Sequence, residues 1–371
     1  MFDNAKLHIY MNMISDTELI LTDDKKIYHL NLSKDQIADD IILVGDPDRV
    51  TLISHKFDAI EHKVSNREFI THTGQLNGKR ISAISTGIGT DNIDIVINEL
   101  DALVNIDFKT RTINSDKKSL NLIRLGTSGA LQKDIAVDSF LASSFGLGFD
   151  NLAHFYADDK MLNQEMSVQY LKHANWPKNL SEPYFVKASE ELCNQFSDLR
   201  QGITATAPGF YGPQGRNLRL APSISDLHDK IGSFSFENHQ ITNFEMETSA
   251  LYFLGQSLGH NTLTICAIIG NRLTQDYSKD YKKTVEEMVD LVLKNKIPTI
   301  VLTATYDEKR RDALYEKGIV DYVIKESRYS YNYALKLMNR LNRNHRIKVL
   351  VVDDSLVARK QCSNLLNKYR F

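Results

Sequence analysis

The chain of 371 residues is poor in cysteine, proline and tryptophan, and it has no long hydrophobic run. Its three cysteines stand far apart without a CxxC pair, which argues against disulfide staples and zinc ribbons and is typical of a reducing compartment. No apolar stretch of about 18 residues occurs, and the N-terminus lacks a basic segment followed by an apolar one, so neither a membrane span nor a signal peptide is predicted. We therefore expect a cytoplasmic protein without a membrane partner.

The overall charge is close to balanced, with 45 Lys and Arg against 47 Asp and Glu, and 42% of the residues are apolar. These values exclude disordered, collagen-like and coiled-coil chains and give no general affinity for nucleic acid. The charge is divided unevenly, because residues 298–371 carry a net +7 and residues 1–297 a net −9. Basic residues spaced along amphipathic helices favour a solvated face, so nucleic acid is not expected as a partner of this segment either.

The change in charge coincides with a break in the predicted secondary structure. A helical pattern over residues 283–293 ends there, and Pro298 opens an extended apolar run. We predict a boundary at this point, and the length allows two or three domains. The predicted parts are an N-terminal extension with a first strand at 1–26, one large domain at 27–297 and a separate segment at 298–371.

Short apolar runs alternate with amphipathic stretches through the large domain. The runs are typical of buried strands because Gly, Asp or Pro bounds them. They lie at residues 41–44, 81–84, 122–125, 139–143 and 263–269. Helical periodicity follows several runs, as at 92–104 and 248–258, which predicts an α/β fold with a mixed sheet flanked by helices. The polar stretch 109–120 is predicted to be a surface insertion.

Three glycine-containing turns follow predicted strands. Residues 45–49 bring backbone amides and a guanidinium to the end of a sheet, which indicates either an anion cradle or an ordinary surface turn. The turns at 85–89 and 126–129 are weaker signals, since glycine turns serve packing as often as ligand binding. Arg124 lies inside an apolar strand, where an unpaired charge costs several kcal/mol, and Arg67 is set similarly among strand-like residues. Arg124 therefore needs an anionic partner, from a ligand or from a carboxylate of the protein.

Two later segments suit a planar polar ligand. Gln214 and Arg216 lie two residues apart beside Phe210, so an extended loop could turn both toward one ligand with N–H and C=O edges. Gln can donate and accept hydrogen bonds, whereas Arg only donates. Residues 245–248 place two carboxylates around Met246 at the start of a predicted helix, where they could hold a diol or only compensate the helix dipole.

The order of these motifs resembles the nucleoside phosphorylase family over residues 27–293, and within it the uridine phosphorylases. The matching segments are 28–30, 45–49, 67–69, 85–89, 124–127, Gln214 with Arg216, 245–247 and 271–272. The resemblance implies a nucleoside phosphorylase-type α/β fold and a pentosyltransferase that converts uridine and phosphate reversibly into uracil and ribose 1-phosphate. It implies no organic cofactor, and inorganic phosphate is the co-substrate.

The resemblance also implies which residues bind each part of the substrates. Those for phosphate are Gly45, Arg49, Arg124 and Thr127, with Arg67 from the neighbouring subunit. Those for ribose are Met246, Glu247 and, again from the neighbour, His29. Those for the base are Phe210, Gln214, Arg216 and Arg272. The residues implied to carry catalysis are Arg124, Gln214, Arg216 and Glu247.

A site shared between subunits implies a homodimer as the smallest active unit, and hexamers built from such dimers are a further expectation. His29 has an alternative interpretation as a polar residue at the start of a strand. A monovalent cation near Glu68 and Ile88, known in some relatives, is a second expectation, although 90–92 departs from the pattern there.

Purine-specific relatives carry a Ser-Asp pair after the strand that ends near Ile268, and its acid protonates the base. This chain has Ile269, Gly270 and Asn271 there, which favours a pyrimidine. A phosphorylase or a nucleosidase acting on other nucleosides is the alternative within the same fold.

Residues 298–371 resemble response-regulator receiver domains of flavodoxin-like fold, in altered order and incomplete. The runs at 299–303 and 322–325 are similar to the last two strands of one receiver, and 348–354 to the first strand of another. Asp353 and Asp354 would be the acidic pair of the second, but the strand with the acceptor aspartate is missing from both. A receiver-like signalling or binding protein is therefore the alternative from a different class, and phosphotransfer is not expected.

Overall fold

The computed structural model describes residues 13–295, 300–303, 308, 321–324, 333 and 336. Contacts divide the chain into two units, Met1–Val289 and Asp290–Phe371. Among the helices in these described ranges, none is both long and apolar enough to cross a membrane.

The first unit is built on strands that together form one large sheet and one small hairpin. The strands are β1 Asp40–Val44, β2 Ala59–Asn66, β3 Phe69–Leu76, β4 Lys79–Ser85, β5 Ile106–Asp107, β6 Thr112–Ile113, β7 Asn121–Ala130, β8 Phe140–Gly148, β9 Tyr184–Lys187, β10 Arg200–Thr206, β11 Ser235–Phe236, β12 His239–Glu245, β13 Asn261–Asn271 and β14 Asp276–Tyr277. Ten of them follow the order β11-β12-β10-β8-β13-β7-β1-β4-β3-β2, while β9 pairs with β8 and β14 with β13.

Helices cover this sheet. Their bounds are α1 Pro47–Ser54, α2 Thr90–Asn105, α3 Gln164–Ala174, α4 Glu190–Asn194, α5 Leu227–Ser233 and α6 Thr248–Ser257. A further helix, α7 Tyr281–Asn295, begins in the first unit and ends in the second. The sequence explains the start of α1, where the Asp46 side chain accepts a hydrogen bond from the Asp48 amide and Pro47 takes the first helical position. In α2, apolar residues at helical spacing, among them Ile93 and Leu100, are buried against the rest of the unit.

The sheet positions the loops that follow its central strands. Strand β7 is parallel to β1 and to β13, and β1 is parallel to β4. The carboxyl ends of these four strands therefore share one edge, as in other α/β sheets that bind ligands there. An antiparallel pairing of β12 with β7 closes β7, β13, β8, β10 and β12 into a ring, which brings the end of β12 to the same place.

The predicted fold class is confirmed: a mixed sheet carries helices on its surface. The apolar runs at 41–44, 81–84, 122–125 and 263–269 lie within β1, β4, β7 and β13. The run at 139–143 begins one residue before β8, which continues to Gly148 because its later residues are also buried. The polar stretch 109–120 contains β6 of the β5–β6 hairpin and exposed residues after it.

The described part of the second unit contains two further strands, β15 Ile300–Thr303 and β16 Asp321–Ile324, which pair in parallel. They overlap the predicted strands at 299–303 and 322–325. The remaining predicted elements of the receiver resemblance, including Asp353 and Asp354, lie outside the described residues. The receiver resemblance of this segment therefore stays a prediction.

Candidate active site

A cavity of about 1040 Å³ lies at the shared edge of the sheet, where β1, β7, β12 and β13 end. It contains ten of the twelve residues predicted for substrate binding. They are Gly45, Arg49, Arg124, Thr127, Phe210, Gln214, Arg216, Met246, Glu247 and Arg272. The other two, His29 and Arg67, are not among the residues that line it.

The cavity has two chemically different ends. We call the region of Gly45, Arg49, Arg124 and Thr127 the anion end. We call the region of Phe210, Gln214, Arg216 and Arg272 the donor end. Met246 and Glu247 follow directly after β12 and also line the cavity.

Arg124 dominates the anion end and is almost completely buried on β7, with 5% of its side chain exposed. Its Nη2 donates a hydrogen bond to Glu247 Oε2, and its Nη1 lies 3.5 Å from Glu245 Oε2. Sequence reasoning left open whether a ligand or the protein supplies the anion, and the structure shows two protein carboxylates. Nε and Nη1 nevertheless have no hydrogen-bond partner among the described residues, so two buried donors of this guanidinium are left unpaired.

The charges at this end are mutually compensating. Burial works against a charged Arg124, but Glu247 and Glu245 outweigh it and raise the arginine pKa above its ordinary value. Burial and the neighbouring Glu247 raise the pKa of Glu245, while Arg124 opposes that rise. Burying the guanidinium without these carboxylates would leave an uncompensated charge in the sheet.

Glu245 also organises the start of α6. Its carboxylate accepts hydrogen bonds from the amides of Glu247 and Thr248 and from the Thr206 hydroxyl, at 2.8 to 3.2 Å. A carboxylate at a helix N-terminus satisfies free amides and opposes the helix dipole. This contact fixes the turn that carries Met246 and Glu247.

Glu247 links three elements. One carboxylate oxygen meets Arg124 on β7, and the other accepts from the Gly89 amide at 2.8 Å, at the start of α2. Gly89 has a φ of +101°, which favours glycine, so the loop from β4 reaches Glu247 by a backbone conformation that other residues rarely adopt. The ribose position predicted for Glu247 is thus held by β7, α2 and α6 together.

Arg49 and Gly45 complete the anion end from the turn after β1. Arg49 lies in the first turn of α1, where burial lowers its pKa and Asp46 opposes that effect. A Cβ at Gly45 would lie 3.3 Å from the Gly87 carbonyl oxygen and 3.8 Å from Arg124 Nη2. The glycine therefore lets the turn after β1 approach the Gly87 carbonyl closely.

Gln214 is the centre of the donor end and is buried in the short 3-10 turn Gly212–Gln214. Its Oε1 accepts from Arg216 Nη1 at 2.6 Å and from Arg272 Nη2 at 2.8 Å. These two donors use the acceptor capacity of the amide oxygen. The amide nitrogen, which only donates, remains for a ligand.

Two arginines bring positive charge to the donor end. Neither Arg216 nor Arg272 forms an ion pair with a carboxylate in the part of the chain that the structure describes. The Arg216 guanidinium carbon lies 3.6 Å from the centre of the Phe210 ring. Burial, and then the charge of Arg216, lowers the pKa of Arg272 to about 10. This end therefore attracts a planar ligand edge that is rich in hydrogen-bond acceptors or negatively charged.

His29 and Arg67 form a separate cluster on the same protomer. The Nδ1 atom of His29 lies 2.6 Å from Glu99 Oε1, and Asn66 donates to the His29 carbonyl at 2.8 Å. The Arg67 guanidinium carbon lies 5.6 Å from the Tyr28 ring centre. Arg67, which the sequence placed among strand-like residues, is exposed in the turn between β2 and β3 with a φ of +55°.

Asn271 belongs to the segment of Ile269, Gly270 and Asn271, which the sequence compared with the Ser-Asp pair of purine-specific enzymes. Its amide nitrogen donates to the carbonyls of Gln132 and Ile135, and its oxygen accepts from the amides of Leu273 and Thr274. All polar atoms of the side chain thus hold the turn after β13. Asn271 is not free to transfer a proton to a base.

Sequence reasoning missed several residues of the cavity. His228, Asp276 and Tyr277 line it, but none belongs to a glycine turn or a charged motif that would have signalled a site. Glu68 and Ile88 also line it, while no group of three or more His, Cys, Asp or Glu suited to a metal ion is found among the described residues. The monovalent cation stays a prediction.

Comparison with known proteins agrees with this fold. Residues 39–297 match the Phosphorylase superfamily. A uridine phosphorylase of Thermococcus kodakarensis is 28% identical over 295 residues, which cover 79% of this chain and 92% of that protein. A DeoD-type purine nucleoside phosphorylase of Bacillus velezensis is 27% identical over 71% of this chain and 97% of its own length.

A solved structure extends the comparison to three dimensions. The nucleoside phosphorylase of Trypanosoma brucei, described as showing uridine phosphorylase activity, superimposes with a TM-score of 0.68 at 25% identity and covers 75% of this chain and 98% of its own. The relatives include both pyrimidine and purine enzymes, so they establish the family and not the base. The chain belongs to the Phosphorylase superfamily, as an enzyme of the nucleoside phosphorylase family.

Proposed function

We propose that the chain catalyses the reversible phosphorolysis of uridine to uracil and ribose 1-phosphate. The observation that carries this proposal is the composition of the donor end, where Gln214, Arg216 and Arg272 present hydrogen-bond donors and uncompensated positive charge. Uracil has two carbonyl oxygens, and its departing anion spreads negative charge onto them. The donor end suits that leaving group.

Phosphate binds at the anion end in this proposal. The unpartnered Nε and Nη1 atoms of Arg124 donate to it, and Arg49 adds a second guanidinium from the first turn of α1. The contact between Arg124 and Glu247 keeps the guanidinium in place before phosphate arrives. Thr127 and the backbone at Gly45 supply further polar contacts from the same wall of the cavity.

Ribose lies between the two ends, beside Met246 and Glu247. Glu247 accepts hydrogen bonds from ribose hydroxyls and orients the sugar, while Met246 packs against it. A phosphate oxygen then forms a bond to the anomeric carbon as the bond to the uracil nitrogen breaks. The transition state carries positive charge on the sugar, as in glycoside hydrolysis, and the phosphate dianion offsets it. The proton of hydrogen phosphate ends on uracil.

The active unit in this proposal is a homodimer. His29 and Arg67 lie together outside the cavity of their own protomer, so a second copy could present the cluster to a neighbouring cavity. Glu99 holds His29 by Nδ1, which leaves Nε2 to face a ribose hydroxyl. Mixing His29→Ala and Arg124→Ala chains tests this arrangement, because only heterodimers with one intact shared site regain activity.

Purine phosphorolysis is the second candidate, because purine enzymes are among the relatives and a carboxylate, Asp276, lies on the cavity wall at the position that pairs with Asn271. An acid there could protonate a purine base. Asp276→Asn separates the two cases: a purine enzyme loses its acid, whereas uridine phosphorolysis is expected to change less than threefold, since a pyrimidine anion needs no strong acid.

The decisive experiment measures free base released from uridine and from inosine, each with and without phosphate, by the full chain. Phosphate-dependent release of uracil with little hypoxanthine supports the proposal. Preference for inosine would instead indicate a purine nucleoside phosphorylase. Release of free base without phosphate would indicate a nucleosidase. Arg216→Ala serves as the control for the donor end, since it removes a hydrogen-bond donor to the base and leaves the anion end unchanged.

A further inference from the structure

His228 lies against the donor end and is not among the residues predicted for substrate binding. It is the second residue of α5, whose first residue, Leu227, is buried in the core and anchors the helix. The imidazole is half-buried and lines the cavity. Its Nε2 atom lies 2.9 Å from Arg272 Nη1 and 2.8 Å from the Gln214 carbonyl oxygen.

These two contacts impose opposite demands on Nε2. Arg272 has only donors, so it requires a lone pair on that nitrogen, whereas the carbonyl oxygen requires a proton on it. The Gln214 carbonyl already accepts from Arg272 Nη1 at 2.7 Å. A bond with a charged donor is the stronger one, so the neutral ring with its proton on Nδ1 is favoured: Nε2 accepts from Arg272, and the Gln214 carbonyl keeps its bond from the same guanidinium.

The surrounding charges favour the same neutral ring. Burial lowers the pKa of His228 most, and the charges of Arg272 and Arg216 lower it further. The Gln214 carbonyl and the carboxylate of Asp229, its neighbour on α5, act in the opposite direction. The neutral form therefore persists to a lower pH than for an ordinary histidine.

The turn that follows Gln214 leaves room for the His228 ring at Gly215. Gly215 has a φ of +70°, and a Cβ there would lie 2.9 Å from His228 Nε2. The imidazole is thus packed directly against the turn that carries Gln214.

We propose that His228 is a positioning residue for base recognition: neutral Nε2 accepts a hydrogen bond from Arg272 and holds its guanidinium against Gln214. Arg272 in turn binds both the carbonyl and the side-chain oxygen of Gln214, so the imidazole fixes two of the groups that meet the base. Protonation of His228 puts a cation beside Arg272, redirects Nε2–H to the Gln214 carbonyl and loosens the donor end. This inference rests on the proposed pyrimidine function of the same site.

The test compares KM for uridine at saturating phosphate, from pH 5.5 to 8, in the full-length protein and its variants. His228→Leu removes the acceptor and is expected to raise KM for uridine about tenfold at pH 7.5, with kcat changed less than threefold. His228→Gln keeps an acceptor that cannot titrate, so its KM should match the unaltered protein at pH 7.5 and stay level at acid pH. In the unaltered protein, KM should rise as pH falls through the lowered pKa.

A control on the other side of the same helix is His173→Gln, since His173 Nε2 contacts Lys230 and Ser233 of α5 and lies outside the cavity. It should behave as the unaltered protein. The inference is overturned if His228→Leu keeps a normal KM, or if His228→Gln keeps the acid rise. Should the leucine variant not fold, the pH profile of the glutamine variant decides alone. Absence of uridine phosphorolysis in the unaltered protein would instead reject the proposed function.

Discussion

The two ends of the cavity handle positive charge in opposite ways. At the anion end, Arg124 is buried in the sheet with Glu245 and Glu247 as counter-charges. At the donor end, Arg216 and Arg272 share one amide oxygen and have no carboxylate partner among the described residues. Partial exposure makes this tolerable, because water still reaches their guanidinium groups.

This difference in charge compensation predicts which substitutions lower stability and which lower activity only. A deep charge must be neutralised by the protein before any substrate arrives, so the anion end is part of the folded core. The donor end lies on a turn and a strand end, where a missing positive charge leaves no other charge unpaired. We therefore expect substitutions at the anion end to affect both stability and activity, and those at the donor end to affect activity alone.

The largest effect is expected for Arg124→Ala. It leaves Glu245 and Glu247 buried without their cation, so the free energy of unfolding should fall by about 3–5 kcal/mol, and the phosphate requirement should rise steeply. Urea denaturation and phosphate saturation curves measure the two effects. A variant of normal stability would show that the carboxylates do not depend on Arg124, and a normal phosphate requirement would make Arg124 purely structural.

The second-largest effect is expected for Arg216→Ala, which should lower activity without lowering stability. Loss of one donor to the leaving base should reduce kcat for uridine by about 100- to 1000-fold, by analogy with the loss of an oxyanion-hole donor. The free energy of unfolding, measured by urea denaturation, should change by no more than an ordinary surface substitution changes it, about 0.5 kcal/mol. A large loss of stability would contradict the expectation that substitutions at the donor end affect activity alone.

Glu247→Gln tests whether the anion end is held near neutrality by its carboxylates. Ribose orientation weakens, so kcat/KM for uridine should fall about 100-fold, equivalent to about 2.7 kcal/mol of transition-state stabilisation. The phosphate KM should fall as well, because one negative charge beside Arg124 is gone. A phosphate KM that rises would mean that Glu247 positions the guanidinium more than it opposes the anion.

The smallest effect is expected for Gly126→Ala. A Cβ at this position would lie 2.2 Å from Arg124 Nη1 and 3.3 Å from Cys266 Sγ, so the guanidinium must shift. The phosphate KM should rise about tenfold while the KM for uridine stays the same. Gly212→Ala is the matched control, since no atom lies within 4 Å of a Cβ there.

The sequence carried enough information for the fold and for most of the cavity lining. Apolar runs such as 41–44 lie in the predicted strands because burial on both faces of a sheet demands continuous apolar residues. The motifs after those strands converge because parallel strands end at one edge. The boundary near 297 and the receiver resemblance of 298–371 stay predictions.

By itself, then, the sequence determined the α/β class and the set of polar groups that meet at one edge of the sheet. It could do so because periodicity and local turns depend on neighbouring residues. Tertiary structure alone decided that Arg124 pairs with Glu247, 123 positions away, and that His228 meets Arg272 across 44 positions. Such pairings depend on how distant strands and helices pack, and no local pattern records them. The division between a neutralised anion end and an uncompensated donor end follows from that packing.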